Sequence, residues 1–210
     1  MSKLIPIVAG VTGTAAVATG GSYWLLTQNT KEETKIEINK VFVRNKFQHA
    51  LIDLTGAGDT LLKEKLKKLK GASVNPNNDK LQVAKTKGGG ETDGLAELKD
   101  GCRIIYNSEF SDESSNVFGD FKDYCSKNIK DQITATKWAV GDTGFQWKTK
   151  HDALKQPKTG ITLVAELSTI ASEESTDGGK LKAWCTGIEN SVFKGPEDDT
   201  YKNANEFCTK

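Results

Sequence analysis

The chain opens on 23 residues without a charge, from Leu4 to Leu26, and then changes character. Beyond Thr30 charged positions become dense, and apolar residues return at helical spacing. Leu62, Leu66 and Leu69 share one face of a helix predicted over 58–70, with Asp59 as its candidate N-cap and Gly71 as its stop. Leu95, Leu98, Cys102 and Ile105 predict a second helix over 95–106, and 179–190 repeats that pattern. Val117, Phe121, Tyr124 and Cys125 give a further apolar face, and a last helix near 198–208 follows the break at Pro196. A stretch starting at Asp142, carrying Phe145, Trp147 and Leu154, is the expected counterpart of 58–70. Asn75-Pro76-Asn77-Asn78 and Gly88-Gly89-Gly90 mark loops. The runs Ile161 to Ala165 and Leu81 to Ala84 read as strands of a minor sheet. The expected fold class is therefore mainly α, with α+β as the alternative.

The uncharged opening segment is long enough to matter on its own. As a helix its 23 residues span about 34 Å, against about 30 Å for the hydrocarbon core of a bilayer. Tyr23 and Trp24 stand at the far end, where amphipathic rings favour the headgroup layer. Gly, Ala, Ser and Thr fill 12 of the 23 positions, so the segment is only moderately apolar. Three readings compete: an uncleaved signal anchor forming a transmembrane helix, a signal segment cleaved after Ala16-Val17-Ala18, and a buried core helix. The anchor is favoured because apolar character resumes after Ala18 and closes on aromatic residues. A short tail before the anchor predicts the C-terminal region outside the cell, although Lys31 and Lys35 on the distal flank run against the positive-inside rule.

An internal duplication organises the rest. Residues 98–127 align with 181–210 without a gap at an offset of 83, with nine of 30 positions identical. The identical pairs include Leu98/Leu181, Lys99/Lys182, Asn107/Asn190, Ser108/Ser191, Cys102/Cys185 and Cys125/Cys208. Thr92-Asp93-Gly94 and Thr176-Asp177-Gly178 extend the match with one residue of slip. A fainter match sets Gly58-Asp59-Thr60 against Gly141-Asp142-Thr143, and Lys63, Lys65, Leu69 and Lys70 against Lys148, Lys150, Leu154 and Lys155. The predicted organisation is an anchor or signal segment (1–26), a linker (27–40) and repeat units 41–127 and 128–210. Each unit carries two cysteines 23 positions apart. Equal spacing favours Cys102–Cys125 and Cys185–Cys208 over the other two pairings, provided the region meets an oxidising compartment. In a reducing one, four buried thiols are the expectation.

Charge and composition narrow the functions. The chain has 29 basic and 28 acidic residues, and setting Lys3 aside leaves 28 of each in 27–210. A nucleic-acid-binding domain would show a basic excess, so nucleic acid is not an expected partner. The basic residues are 27 Lys against Arg44 and Arg103, which also disfavours bidentate phosphate recognition. The two histidines, His49 and His151, fall at unmatched places in the repeat and read as solvated surface residues. The acidic pairs Glu173-Glu174 and Asp198-Asp199 read as solvated faces, and Gly88-Gly89-Gly90 lacks the Lys-Ser/Thr of a phosphate-binding loop. No catalytic motif, cofactor fingerprint or zinc spacing is found, so the chain is not expected to be an enzyme. The positions the units share are mainly apolar residues, Cys and Lys, which describe a scaffold.

The opening MSKLIPIVAGVTGTAAVATGGSYWLL, followed by repeated LKxxC…(Y/F)C(S/T)K segments, resembles the multicopy paralogous proteins of haemotropic mycoplasmas. That resemblance implies a wall-less bacterium attached to red cells, surface display and antigenic variation, and it carries over no catalytic residue. Three functions follow as expectations. The first is a single-pass, membrane-anchored surface domain binding a host surface protein or antibody, with variable loops at 71–94 and 156–180. The second is an enzyme with its site between the units. The third is a structural membrane protein that self-associates through its anchor.

Overall fold

The computed structural model describes residues 40–134 and 137–210, so the anchor or signal segment and nearly all of the linker lie outside the described residues. The described chain is mainly helical. A short α1 (Val43–Lys46) precedes α2 (Asp59–Gly71), α3 (Asp79–Thr86), α4 (Leu95–Tyr106) and α5 (Asn116–Asp120), which runs on as a π-helical turn, Phe121–Cys125. The second half contributes α6 (Trp147–Ala153), α7 (Ala165–Ser172), α8 (Gly179–Ile188) and α9 (Asp199–Phe207).

The minor sheet is not present among the described residues; four isolated bridges take its place. Leu81 to Ala84 lie inside α3, because the Asn78 side chain accepts the Lys80 and Leu81 N–H groups and starts a helix there. Leu81 and Ala84 then bury one face at i, i+3 spacing. Residues 161–164 have no regular structure and no strand partner, and Val164, extended, is the N-cap residue of α7. Asp59 is the first residue of α2 and not its cap, which is Gly58. The helix expected from Asp142 begins only at Trp147. Asp142 accepts the Gly144 N–H at 2.8 Å and pairs with Lys210 at 2.7 Å, so it is held in a turn, with Gly141 and Gly144 weakening helix beside it.

Two hydrophobic clusters stabilise the fold. The first gathers Leu62, Leu66, Leu69, Leu81, Leu98, Ile105 and a group of rings, Phe47, Phe118 and Phe121, with Val192 of the second half packed among them. The second gathers Ile129, Trp138, Trp147, Leu154, Leu167, Leu181 and Phe207. Each such side chain contributes about 1.5–3 kcal/mol by leaving water.

The main chain closes each half in the same way. In the first half the Val43 N–H donates to Ser108 O, Phe110 N–H to Val41 O and Lys127 N–H to Ala50 O. In the second, Ile129 N–H donates to Ser191 O, Phe193 N–H to Lys127 O and Lys210 N–H to Lys137 O. The bridges Phe42–Glu109 and Leu51–Ser126 recur as Asn128–Val192 and Trp138–Thr209. Buried polar residues recur as well. Asp120 accepts the Asn77 and Asn78 N–H groups ahead of α3, while Asn203, 83 residues on, accepts the Val164 N–H ahead of α7 and donates to Thr162 O. Gly94 and Gly178, both at positive φ, precede α4 and α8, and each meets backbone where a Cβ would stand: Ala84 O at 2.5 Å and Trp147 O at 2.3 Å.

One closure differs in chemistry. In the second half Ala139 N–H donates straight to Cys208 O at 2.9 Å. In the first half the Tyr106 hydroxyl is inserted, accepting from Ile52 N–H at 3.0 Å and donating to Cys125 O at 2.6 Å. The residue in register with Tyr106 is Glu189, which pairs instead with Lys130 at 3.1 Å.

Candidate functional site

The cysteines lie where α4 meets the π turn and where α8 meets the end of α9. Cys102 is bonded to Cys125 and Cys185 to Cys208, with Cα atoms 5.2 and 5.7 Å apart. All four are fully buried, so the bridges are core structure and not exposed redox groups. Each ties the LKxxC helix to the terminal helix of its own half.

The shared polar pairs serve the same scaffold. Asn107 follows α4, accepts from Arg44 at 2.6 Å and donates to Arg103 O. Asn190 O accepts from the Asn128 side chain, and Ser108 and Ser191 offer their main-chain carbonyls to the closures described above. Asp198 is the N-cap of α9, accepting from Tyr201 N–H, as Ser115 caps α5 by accepting from Phe118 N–H. Glu173 and Glu174 pair with Lys180 and Lys155.

The histidines separate. His49 is exposed, beside Gly195. His151 is not a surface residue: it is 1% exposed, in the place on α6 that Leu66 holds on α2. Its Nε2 lies 3.1 Å from Ile170 O, a carbonyl that can only accept, so Nε2 carries a proton and donates it there. Nδ1 has no hydrogen-bond partner and faces the Asp152 carboxylate 3.5 Å away. The sequence signal for burial was its spacing, one turn after Trp147 on the inward face.

The seam between the halves holds the most unusual electrostatics. Lys65 on α2 is 5% exposed, while Lys63, Lys67 and Lys68 on the same helix are exposed. Its ammonium donates to Asn128 Oδ1 and, at 2.7 Å, to Asp131 Oδ2. Burial pushes the Lys65 pKa down, and the Asp131 carboxylate works against that shift. Beside this cluster lies a cleft of about 320 Å³, lined by Lys122 and Phe118 of the first half and Ser191, Lys194, Asp198 and Thr200 of the second. Glu113 and Lys194 face each other across it at 3.9 Å. In the sequence Lys65 and Ser191 stand only as repeat positions and Asp198 as part of a solvated acidic pair, while Asn128 and Asp131 carry no signal, because no local pattern marks a lysine whose partners lie 63 and 66 positions away.

A groove of about 380 Å³ runs between α2 and the Gly88–Gly90 loop, where Lys70 donates to Gly88 O and Gly90 O. Those carbonyls face a lysine, so this glycine run does not present a nest of N–H groups to a phosphate. No group of three or more metal-ligating side chains occurs among the described residues. No helix among the described residues is long and apolar enough to cross a membrane. The chain matches no family model, no curated protein and no solved structure.

Proposed function

We propose that residues 40–210 form a binding module displayed outside the cell and held at the membrane by residues 4–26, where it meets a host surface protein or antibody. The observation that carries this reading is the pair of fully buried disulfides, one in each half. Such bonds form and persist in oxidising surroundings and are rare where thiol reductants dominate. The balance of 28 basic and 28 acidic residues beyond the opening segment supports a partner other than nucleic acid. The seam cleft, with Lys122, Lys194 and Asp198 at its walls, offers a concave polar surface for such a contact. Protease added to intact cells tests this reading, with a cytosolic protein as the leakage control. Loss of the C-terminal fragment is expected. Its survival until lysis would place the module inside and remove the basis for host contact.

A further inference from the structure

The seam cluster contains the parts of a bond-forming reaction. A lysine amine, a side-chain amide and a carboxylate meet in a site where Lys65 is 5% and Asn128 2% exposed. We propose that Lys65 and Asn128 condense without an external enzyme into an isopeptide bond that covalently joins the two halves, with Asp131 carrying the proton.

The orientation of the amide favours the reaction. Asn128 Nδ2 donates to Lys122 O at 3.1 Å and to Asn190 O at 3.0 Å, which turns Oδ1 toward Lys65. Cγ therefore lies one bond beyond the oxygen that the amine touches, and the ammonium beside Oδ1 polarises the carbonyl. Asp131 is fixed in turn: Oδ2 accepts the Asn128 main-chain N–H at 2.8 Å as well as the Lys65 proton. Burial also lowers the Lys65 pKa, which makes the neutral, nucleophilic amine more accessible. A buried ammonium is moreover a poor way to hold a seam, since apolar residues of similar volume often do as well or better.

The steps balance. Asp131 takes a proton from the Lys65 ammonium, and the freed lone pair adds to Asn128 Cγ. The tetrahedral intermediate collapses by breaking the Cγ–Nδ2 bond: Asp131 passes its first proton to Nδ2, takes the second proton from the Lys65 nitrogen and hands it to the departing ammonia. One C–N bond forms, one breaks, and the positive charge leaves as one ammonium ion; nothing is oxidised or reduced. The product amide is neutral, and its N–H can donate to the Asp131 carboxylate, so the buried positive charge disappears.

The other half provides an internal comparison. Lys150 holds the place of Lys65 on α6 but donates to the main-chain carbonyl of Glu206 at 2.8 Å. The residue in register with Asn128 is Phe42, which has no amide. A single cross-link per chain is therefore expected.

The full chain, denatured and with its disulfides reduced, is weighed intact. The expected mass is one ammonia, about 17 Da, below that of the linear polypeptide. Trypsin is expected to release a branched peptide joining residues 64–67 to 128–130, uncut after Lys65. A succinimide also loses ammonia, so the Lys65→Arg variant decides: it is expected to recover the full mass, and persistence of the loss would overturn the proposal. Asp131→Ala is expected to keep the unlinked mass or to link more slowly. The unmodified mass in the wild-type chain overturns the proposal outright. Loss of water instead, about 18 Da, would make Asp131 the acyl partner and overturn the assignment to Asn128.

Discussion

Replacing Tyr106 with Phe removes one oxygen from the first half and tests how its closure is stabilised. That hydroxyl is the partner of both Ile52 N–H and Cys125 O, at 3.0 and 2.6 Å. Ile52 is 2% exposed and Cys125 fully buried, so neither group can turn to water. A buried polar group left unsatisfied costs about 1–3 kcal/mol. Two such groups, partly relieved by local movement, predict a loss of about 2–4 kcal/mol, read as a lower urea midpoint by far-UV circular dichroism. At about 2–4 °C per kcal/mol for a domain of this size, Tm falls by about 5–15 °C. A second signature comes from pH. Burial pushes the Tyr106 pKa well above its ordinary value of 10.0. The folded chain then keeps a proton that the unfolded chain releases, so this group's contribution to stability is full below about pH 10 and is lost as pH rises further. Tyr106→Phe should flatten that alkaline decline. A loss under about 0.5 kcal/mol would refute the reasoning. It would mean that Ile52 N–H and Cys125 O can join directly, as Ala139 N–H and Cys208 O do in the second half.

Other perturbations follow from the same contacts. Replacing Cys102 and Cys125 together by Ser opens a loop of 23 positions, and chain-entropy reasoning predicts a loss of about 3 kcal/mol in denaturant titration. Asn203→Leu deprives Val164 N–H and Thr162 O of their partner, and should cost about 2–4 kcal/mol by the same titration. Gly178→Ala puts a Cβ within 2.3 Å of the Trp147 main chain at a φ of 71°, and should lower Tm far more than Gly187→Ala, whose Cβ meets nothing within 4 Å.

What the sequence made legible depended on how local the cause was. The helices at 95–106 and 179–188 stand where Leu, Cys and Ile recur at helical spacing, because one buried face determines the period. The loops at Asn75–Asn78 and Gly88–Gly90 also follow from local backbone preferences. Leu81–Ala84 was misread because four residues are too few to separate a buried strand from a buried helical turn, and the deciding contact is the Asn78 cap. His151 was misread because an imidazole at an inward position was weighed as a polar residue, although its ring replaces Leu66 in the core. The two halves also diverge at Gly101 and Trp184, which occupy equivalent places. Gly101 lets α3 close against α4, with a Cβ there only 2.7 Å from the Leu81 side chain, whereas Trp184 packs as a ring on the second core. The seam cluster was out of reach for a different reason. Lys65, Asn128 and Asp131 meet only through tertiary folding, and lysine is common along the whole chain.

The claim that an oxidised, two-part module stands outside the cell is tested most directly by trapping its thiols in the native organism. Cells are lysed into an excess of alkylating agent, and the protein is digested without reduction for peptide mass mapping. The account predicts no alkylated cysteine and two linked peptide pairs, Cys102 with Cys125 and Cys185 with Cys208. Alkylation of these residues in the freshly lysed cells would show reduced thiols, place the module in a reducing compartment and contradict the account.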